Sequence, residues 1–269
     1  MGEGKNANDS AKPLVLVERQ DSVAWLLLNR PEAANALSRA LVAALRAELA
    51  ALAGQPELTT VVLAGAADKA FCAGADLKER LGMTLEETRA FLDELGALVQ
   101  AIEDFPRPVI AALSGAAFGG GLEIALACDL RLADESAIMG LSEVRLGIIP
   151  GAGGTQRLSR LCGVAVAKEL ILTGRRIDAN TALKLGLVSR VAAKPDLRTA
   201  ISELCEELAA AGPLALSAAK RAIDAGFGKP MREALAIERG CYEGVLVSQD
   251  RNEGLRAFAE KRPPRYQGK

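Results

Sequence analysis

The 269-residue chain contains no histidine. That absence excludes Ser–His and Cys–His nucleophilic catalysis and removes the commonest metal ligand, so acid/base chemistry falls to Asp, Glu, Lys, Tyr or Cys. An excess of either charge is missing too. With 33 Lys and Arg against 34 Asp and Glu the net charge is −1, which gives no general pull toward nucleic acid or an anionic membrane. Any anionic ligand has to be held locally. No apolar run approaches the roughly 20 residues that span a bilayer, and the opening MGEGKNANDSAKP is neither a secretory h-region nor an Arg-rich transit peptide, so a cytoplasmic protein is expected. Cysteine pairing is absent as well: Cys72, Cys128, Cys162, Cys205 and Cys241 form no CxxC, and most sit in apolar sequence, which reads as buried free thiols in a reducing compartment.

What is present is apolar. Half of the chain is hydrophobic, enough for one large core or a domain with a helical appendage. Residues 1–12 read as a flexible terminus. Leu14 to Glu18 and Val23 to Asn29 read as strands, and Leu41, Val42, Leu45, Leu49 and Leu52 recur at helical spacing after Ser38. Thr60 to Gly65 and Val109 to Leu113 are buried strands, and between them a capping box at Thr84–Glu87 opens a helix carrying Phe91, Leu95, Leu98 and Ile102. The segment around Phe71–Asp76 and that from Ser136 to Gly154 read as loops, with helices at about 121–127 and 155–162 and a strand in DLRLAD. This alternation predicts an α/β fold of βαβ-type units. Beyond Val188 to Val191 strand signals fade and four helices are expected from about Leu197, the last, about 251–261, capped by Asp250. No internal repeat is visible in the sequence.

Chemistry concentrates between Ser114 and Leu158, where two glycine-dense turns flank Glu123 and Glu143 in largely apolar sequence. A carboxylate there is expensive to bury without a partner or a job. Glu123 is either one half of a two-carboxylate acid/base device or an acidic residue complementing the helix dipole; Glu143 is either the other half or a surface partner of Arg145. Gly119-Gly120-Gly121 serves anion binding or close packing, and Phe71-Cys72-Ala73-Gly74-Ala75-Asp76 is an oxyanion or phosphate loop or a tight turn capped by Asp76. Neither glycine cluster fits a P-loop or a dinucleotide fingerprint.

Taken together, AFCAGADLKE, PVIAALSGAAFGGGLEIALACDLRLA and LSEVRLGIIPGAGGTQRL resemble, in order and spacing, the enoyl-CoA hydratase/isomerase (crotonase) superfamily. AGADLKER, MGLSEVRLGIIPG and the tail EKRPPRYQGK most resemble its 3-methylglutaconyl-CoA hydratases. The resemblance implies a crotonase-like spiral of ββα units over 13–195, with a helical C-terminal, oligomerising region over 196–269 and a homotrimer or dimer of trimers. It implies an oxyanion hole from the N–H groups of Ala75 and Gly120, each donor typically worth about 2.7–4 kcal/mol in the transition state. Glu123 would act as base on water and Glu143 as acid toward Cα, and Gly151 would help position the thioester. Ala73, Gly74, Asp76 and Leu77 would cradle coenzyme A, with Arg30 near its phosphates. CoA is then part of the substrate, and no metal or redox cofactor is implied.

The implied activity is reversible syn hydration, most closely of 3-methylglutaconyl-CoA, with a short-chain enoyl-CoA hydratase as the alternative. The second carboxylate of a methylglutaconyl chain needs a partner, for which Lys78, Arg80, Tyr242, Arg262 and Tyr266 are candidates against a reading as solvated surface groups. RNA binding, found in one relative, is not expected, because the helix after Ser38 carries only Arg39 and Arg46 beside Glu48.

Overall fold

The computed structural model describes residues 12–67 and 69–269; the terminal stretch expected to be flexible lies almost wholly outside them. The chain runs β1 (Val15–Gln20), β2 (Val23–Leu28), α1 (Arg39–Ala53), β3 (Thr60–Gly65), β4 (Ala70–Cys72), α2 (Leu77–Leu81) and α3 (Leu85–Glu103). It continues through β5 (Val109–Leu113), β6 (Ala116–Phe118), α4 (Gly120–Ala127), β7 (Leu130–Asp134), β8 (Ile138–Gly140), α5 (Gly154–Cys162) and α6 (Val164–Thr173). After β9 (Ile177–Asp178), α7 (Ala179–Lys184) and β10 (Arg190–Ala192) come α8 (Leu197–Ala209), α9 (Pro213–Gly226), α10 (Met231–Leu246) and α11 (Gln249–Glu260).

The strands form two sheets, one in the order β1-β2-β3-β5-β7-β10 and a smaller one in the order β4-β6-β8-β9. From β3 onward the chain alternates: β3, β5 and β7 join the large sheet, and β4, β6 and β8, which follow them, join the small one. The helices α2–α3, α4 and α5 close these three turns, so the architecture is a crotonase-like spiral of ββα units. It repeats in space although the sequence does not repeat. Within the large sheet β2, β3, β5, β7 and β10 are parallel, and the apolar runs VAWLLL, TVVLAG and VIAAL are explained by cover on both faces. Alternate residues divide between them. Leu26, Leu28, Val61, Leu63, Val109 and Ala111 share a core with α1, α3, α4 and the small sheet. Trp25, Leu27, Val62, Ile110 and Leu132 pack with Leu197, Ile201 and Leu204 of α8.

Two stretches expected to be loops therefore contain strands, β4 in the first and β8 in the second. Three-residue strands are too short to show a period of two. The last helix also differs: it begins at Gln249, and the cap is Ser248, whose hydroxyl accepts from the Arg251 N–H. Asp250 lies inside the helix, is buried, and accepts the main-chain N–H groups of Gln267 and Gly268 at 2.7 and 2.8 Å. It straps the C-terminal tail rather than capping the helix. The paired helices α9 and α10 are anchored to the body partly by Lys220, which meets Asp129 at 2.7 Å.

Candidate active site

Parallel neighbours in a sheet sit about 4.8 Å apart, so the residues that follow the adjacent strands β4, β6 and β8 are delivered side by side. Those residues are Ala75, Gly120 and Glu143. Ala75 is fixed from its other side: Leu37 donates to the Gly74 carbonyl at 2.7 Å, and the Asp76 N–H donates to the Leu37 carbonyl at 3.0 Å. Backbone alternation then turns the Ala75 N–H away from Leu37. A methyl group placed on Gly120 would lie 3.9 Å from the Ala75 nitrogen. Gly120 is also the first residue of α4, where N–H groups lack intrahelical partners.

The three neighbouring glycines divide the two roles open to them. Gly121 is a packing residue, since a Cβ there would come within 2.3 Å of the Cys72 carbonyl. Gly119 turns the chain at φ +49°, and its would-be Cβ lies 3.1 Å from Glu143 Oε1. Gly120 is left beside the Ala75 nitrogen.

All of α4 is buried, so Glu123 enters the interior with its helix. Its Oε1 accepts N–H groups from both Ala152 and Gly154 at 2.8 Å. Burial pushes its pKa up, against the N–H groups of Gly154 and Ala152, the positive charge of Arg157 and the N–H of Gly151. At the other end of the helix the buried Arg131 donates to the Cys128 carbonyl at 2.6 Å and complements the dipole. Glu143 opens a 3-10 turn, Glu143–Leu146, and its Oε2 is buried without a hydrogen-bond partner. Burial pushes it up to about 7; its own N–H opposes that, and the Glu123 carboxylate adds to it. Arg145, its expected surface partner, donates instead to the Thr173 carbonyl. One glutamate is thus held by fixed donors, while the other keeps an acceptor unspent.

A profile of the enoyl-CoA hydratase/isomerase family matches residues 18–269. The chain belongs to that family. A putative enoyl-CoA hydratase/isomerase of Bacillus subtilis is 45% identical over 255 residues, covering 95% of this chain and 98% of the relative. Human mitochondrial methylglutaconyl-CoA hydratase is 43% identical over 258 residues, covering 94% and 76%. The crystal structure of an enoyl-CoA hydratase from Bacillus anthracis superposes with a TM-score of 0.93 at 47% identity, over 95% of this chain and all of that one.

The other residues picked out in the sequence of this enoyl-CoA hydratase family member have definite places. Gly151 lies in the turn before α5, its would-be Cβ 2.8 Å from Leu92 Cδ2. The Ala73 N–H and the Gly74 carbonyl are bonded to Ala34 and Leu37, so those atoms shape the loop. Asp76 caps α2 through the N–H groups of Lys78 and Glu79. Burial alone would raise its pKa, but Arg30 at 3.0 Å and these N–H groups hold it below the usual value. Arg30 also donates to the Ala36 carbonyl, which occupies much of its donor set within the protein. Leu77 and Lys78 are exposed; Arg80 is half-buried, its guanidinium 5.9 Å from the Phe91 ring. Arg262 is spent on Glu253 and Glu260, and Tyr266 packs over Gly212 and Gly254, so the tail holds both. Tyr242 is exposed on α10. Arg39 is paired with Glu79 and Glu87. Among the described residues no three Cys, Asp or Glu side chains gather so as to hold a metal ion, and no helix is long and apolar enough to cross a membrane.

Proposed function

We propose that the protein catalyses reversible syn hydration of a 2-enoyl-CoA thioester, and that the substrate is 3-methylglutaconyl-CoA, giving 3-hydroxy-3-methylglutaryl-CoA in leucine or isovalerate breakdown. The observation that carries the reaction type is the unequal pair of buried carboxylates, Glu123 and Glu143, near the adjoining main chain of Ala75 and Gly120. The thioester oxygen accepts from Ala75 and Gly120, which stabilises the charge that develops as C2 becomes enolate-like. A water held between the glutamates loses a proton to ionised Glu123 as its oxygen adds to C3, and Glu143 delivers a proton to C2. A carboxyl near 7 is protonated in a large fraction of molecules at neutral pH, which suits Glu143 to the acid role. Because the two carboxylates share protons, the pair titrates as a unit.

The methylglutaconyl assignment draws support from the name of one relative and from Arg80, the half-buried cation beside the α2–α3 region, as partner of the second carboxylate. A short-chain enoyl-CoA hydratase is the second reading. It is favoured by the apolar neighbours of the site, since Gly120, Gly151 and Gly154 face Leu37, Leu95, Leu92 and Leu141. We also infer a trimer or dimer of trimers, supported by the exposed apolar side chains Ile223, Phe227, Met231, Leu235 and Val247 on α9, α10 and the turn after them. Light scattering at micromolar concentration tests that inference.

The substrate test follows loss of enoyl-thioester absorbance with 3-methylglutaconyl-CoA and with crotonyl-CoA. Wild type is expected to prefer the diacid in kcat/KM, and Glu123→Gln and Glu143→Gln each to lose about two orders of magnitude or more in kcat. A wide preference for crotonyl-CoA refutes the substrate. Full turnover in either variant refutes the acid/base pair.

A further inference from the structure

Arg157 has no role in the chemistry above, yet its side chain is only 18% exposed and sits near the N-terminus of α5, where the helix dipole disfavours a cation. Its contacts explain the placement. Nη1 donates to the Ala152 carbonyl at 3.0 Å, and Nη2 is paired with Glu103 at the end of α3. Along the chain that carbonyl lies between the two N–H groups, of Ala152 and Gly154, that meet on Glu123 Oε1. Gly153 completes the turn at φ +97°, and a Cβ on it would fall 2.0 Å from Nη1, so the guanidinium lies directly against its Cα.

We propose that Arg157 is the positioning residue of Glu123: its planar fork, anchored by Glu103, fixes the turn so that two N–H groups converge on one carboxylate oxygen, and it places a positive charge beside that turn. An arginine suits this task because its donors point in fixed directions, whereas a lysine supplies only a mobile point charge. The charged side chains acting on Glu123 are Arg157 from α5 and Glu143 from the 3-10 turn; α3 contributes Glu103 through Arg157. The two act in opposite directions. Arg157 favours the ionised form and Glu143, when ionised, opposes it.

The inference rests on Glu123 as the base, and the test separates the two claims. Hydration of crotonyl-CoA and of 3-methylglutaconyl-CoA is measured against pH for wild type, Glu123→Gln, Arg157→Gln, Arg157→Lys and Glu103→Gln. In Arg157→Gln kcat is expected to fall about 10–100-fold with KM changed less than about threefold, and the acid limb of the kcat profile to move to higher pH. Arg157→Lys should return the acid limb toward the wild-type position while leaving kcat reduced, because it restores charge without the fork. Turnover retained in Glu123→Gln refutes the base assignment itself. An inactive Glu123→Gln beside an unmoved acid limb in Arg157→Gln, or a loss confined to KM, overturns the role of Arg157. Should Arg157→Gln not fold, Glu103→Gln decides: it keeps the bond to Ala152 and removes the anchor, so kcat should fall at constant KM, and an unchanged kcat overturns the proposal.

Discussion

Replacing Glu143 separates stability from activity. In an unfolded chain a glutamate titrates near 4.5, whereas burial beside Glu123 pushes Glu143 up to about 7 in the folded protein. Between those values the folded chain binds more protons than the unfolded one, so the free energy of unfolding contributed by this group falls as pH rises and is flat on either side. At about 1.4 kcal/mol per unit the shift corresponds to about 3 kcal/mol. Glu143 is only half-buried, and solvent screening reduces this to about 1–2 kcal/mol. Glu143→Gln removes the titration. The unfolding free energy of the variant minus that of wild type is therefore expected to grow by about 1–2 kcal/mol from about pH 4.5 to about pH 8, whatever constant offset the amide introduces. Urea unfolding at fixed protein concentration measures it, with Trp25, the single tryptophan, buried in β2, as the intrinsic reporter. A difference that stays level or shrinks as pH rises would refute the reasoning, because it would mean that burial does not raise the pKa of Glu143.

Two further changes probe the site and the tail. Gly120→Ala would put a methyl group 3.9 Å from the Ala75 nitrogen and 3.1 Å from Leu37 Cδ1, in the space the thioester oxygen needs. We expect kcat/KM to fall about 10²–10³-fold, as for loss of an oxyanion donor, with a stability change of roughly 1 kcal/mol measured by urea unfolding; near-normal turnover would place the oxyanion elsewhere. Asp250→Ala removes a buried acceptor of two main-chain N–H groups and should cost about 2–3 kcal/mol. Amide exchange in Gln267 and Gly268 should rise with it, and unchanged exchange would show that the tail is held by other contacts.

The sequence exposes long elements and hides short ones, and the site depends on the short ones. The helices α1 and α3 are legible because apolar residues recur at every turn, and the Thr84 capping box marks where α3 begins. The strands β4, β6 and β8 have three residues each and no readable period, yet their side-by-side pairing brings Ala75, Gly120 and Glu143 together from positions 45 and 23 residues apart (120 − 75 and 143 − 120). Family resemblance named these three residues together where periodicity could not. Asp250 and Ser248 both qualify as helix caps by residue type; the choice was made by the tail, whose N–H groups claim the Asp250 carboxylate. No local pattern reports a partner nearly twenty residues away.

Arg157 shows where a legible signal lay unused. A cation close behind Gly153-Gly154 at a helix start runs against the dipole, and such a placement asks for a compensating carboxylate. The structure supplies Glu103 directly and Glu123 through the turn. The same reasoning explains why the two glutamates differ although both lie in apolar sequence. Glu123 meets donors built into the start of α5 and an arginine that fixes them, so its charge is partly compensated before any ligand arrives. Glu143 meets its own N–H and the carboxylate of Glu123, so burial is opposed less and its pKa is pushed up to about 7. The proposed hydration calls for two carboxyls that hold their protons unequally, and the fold places a donor turn beside only one of them.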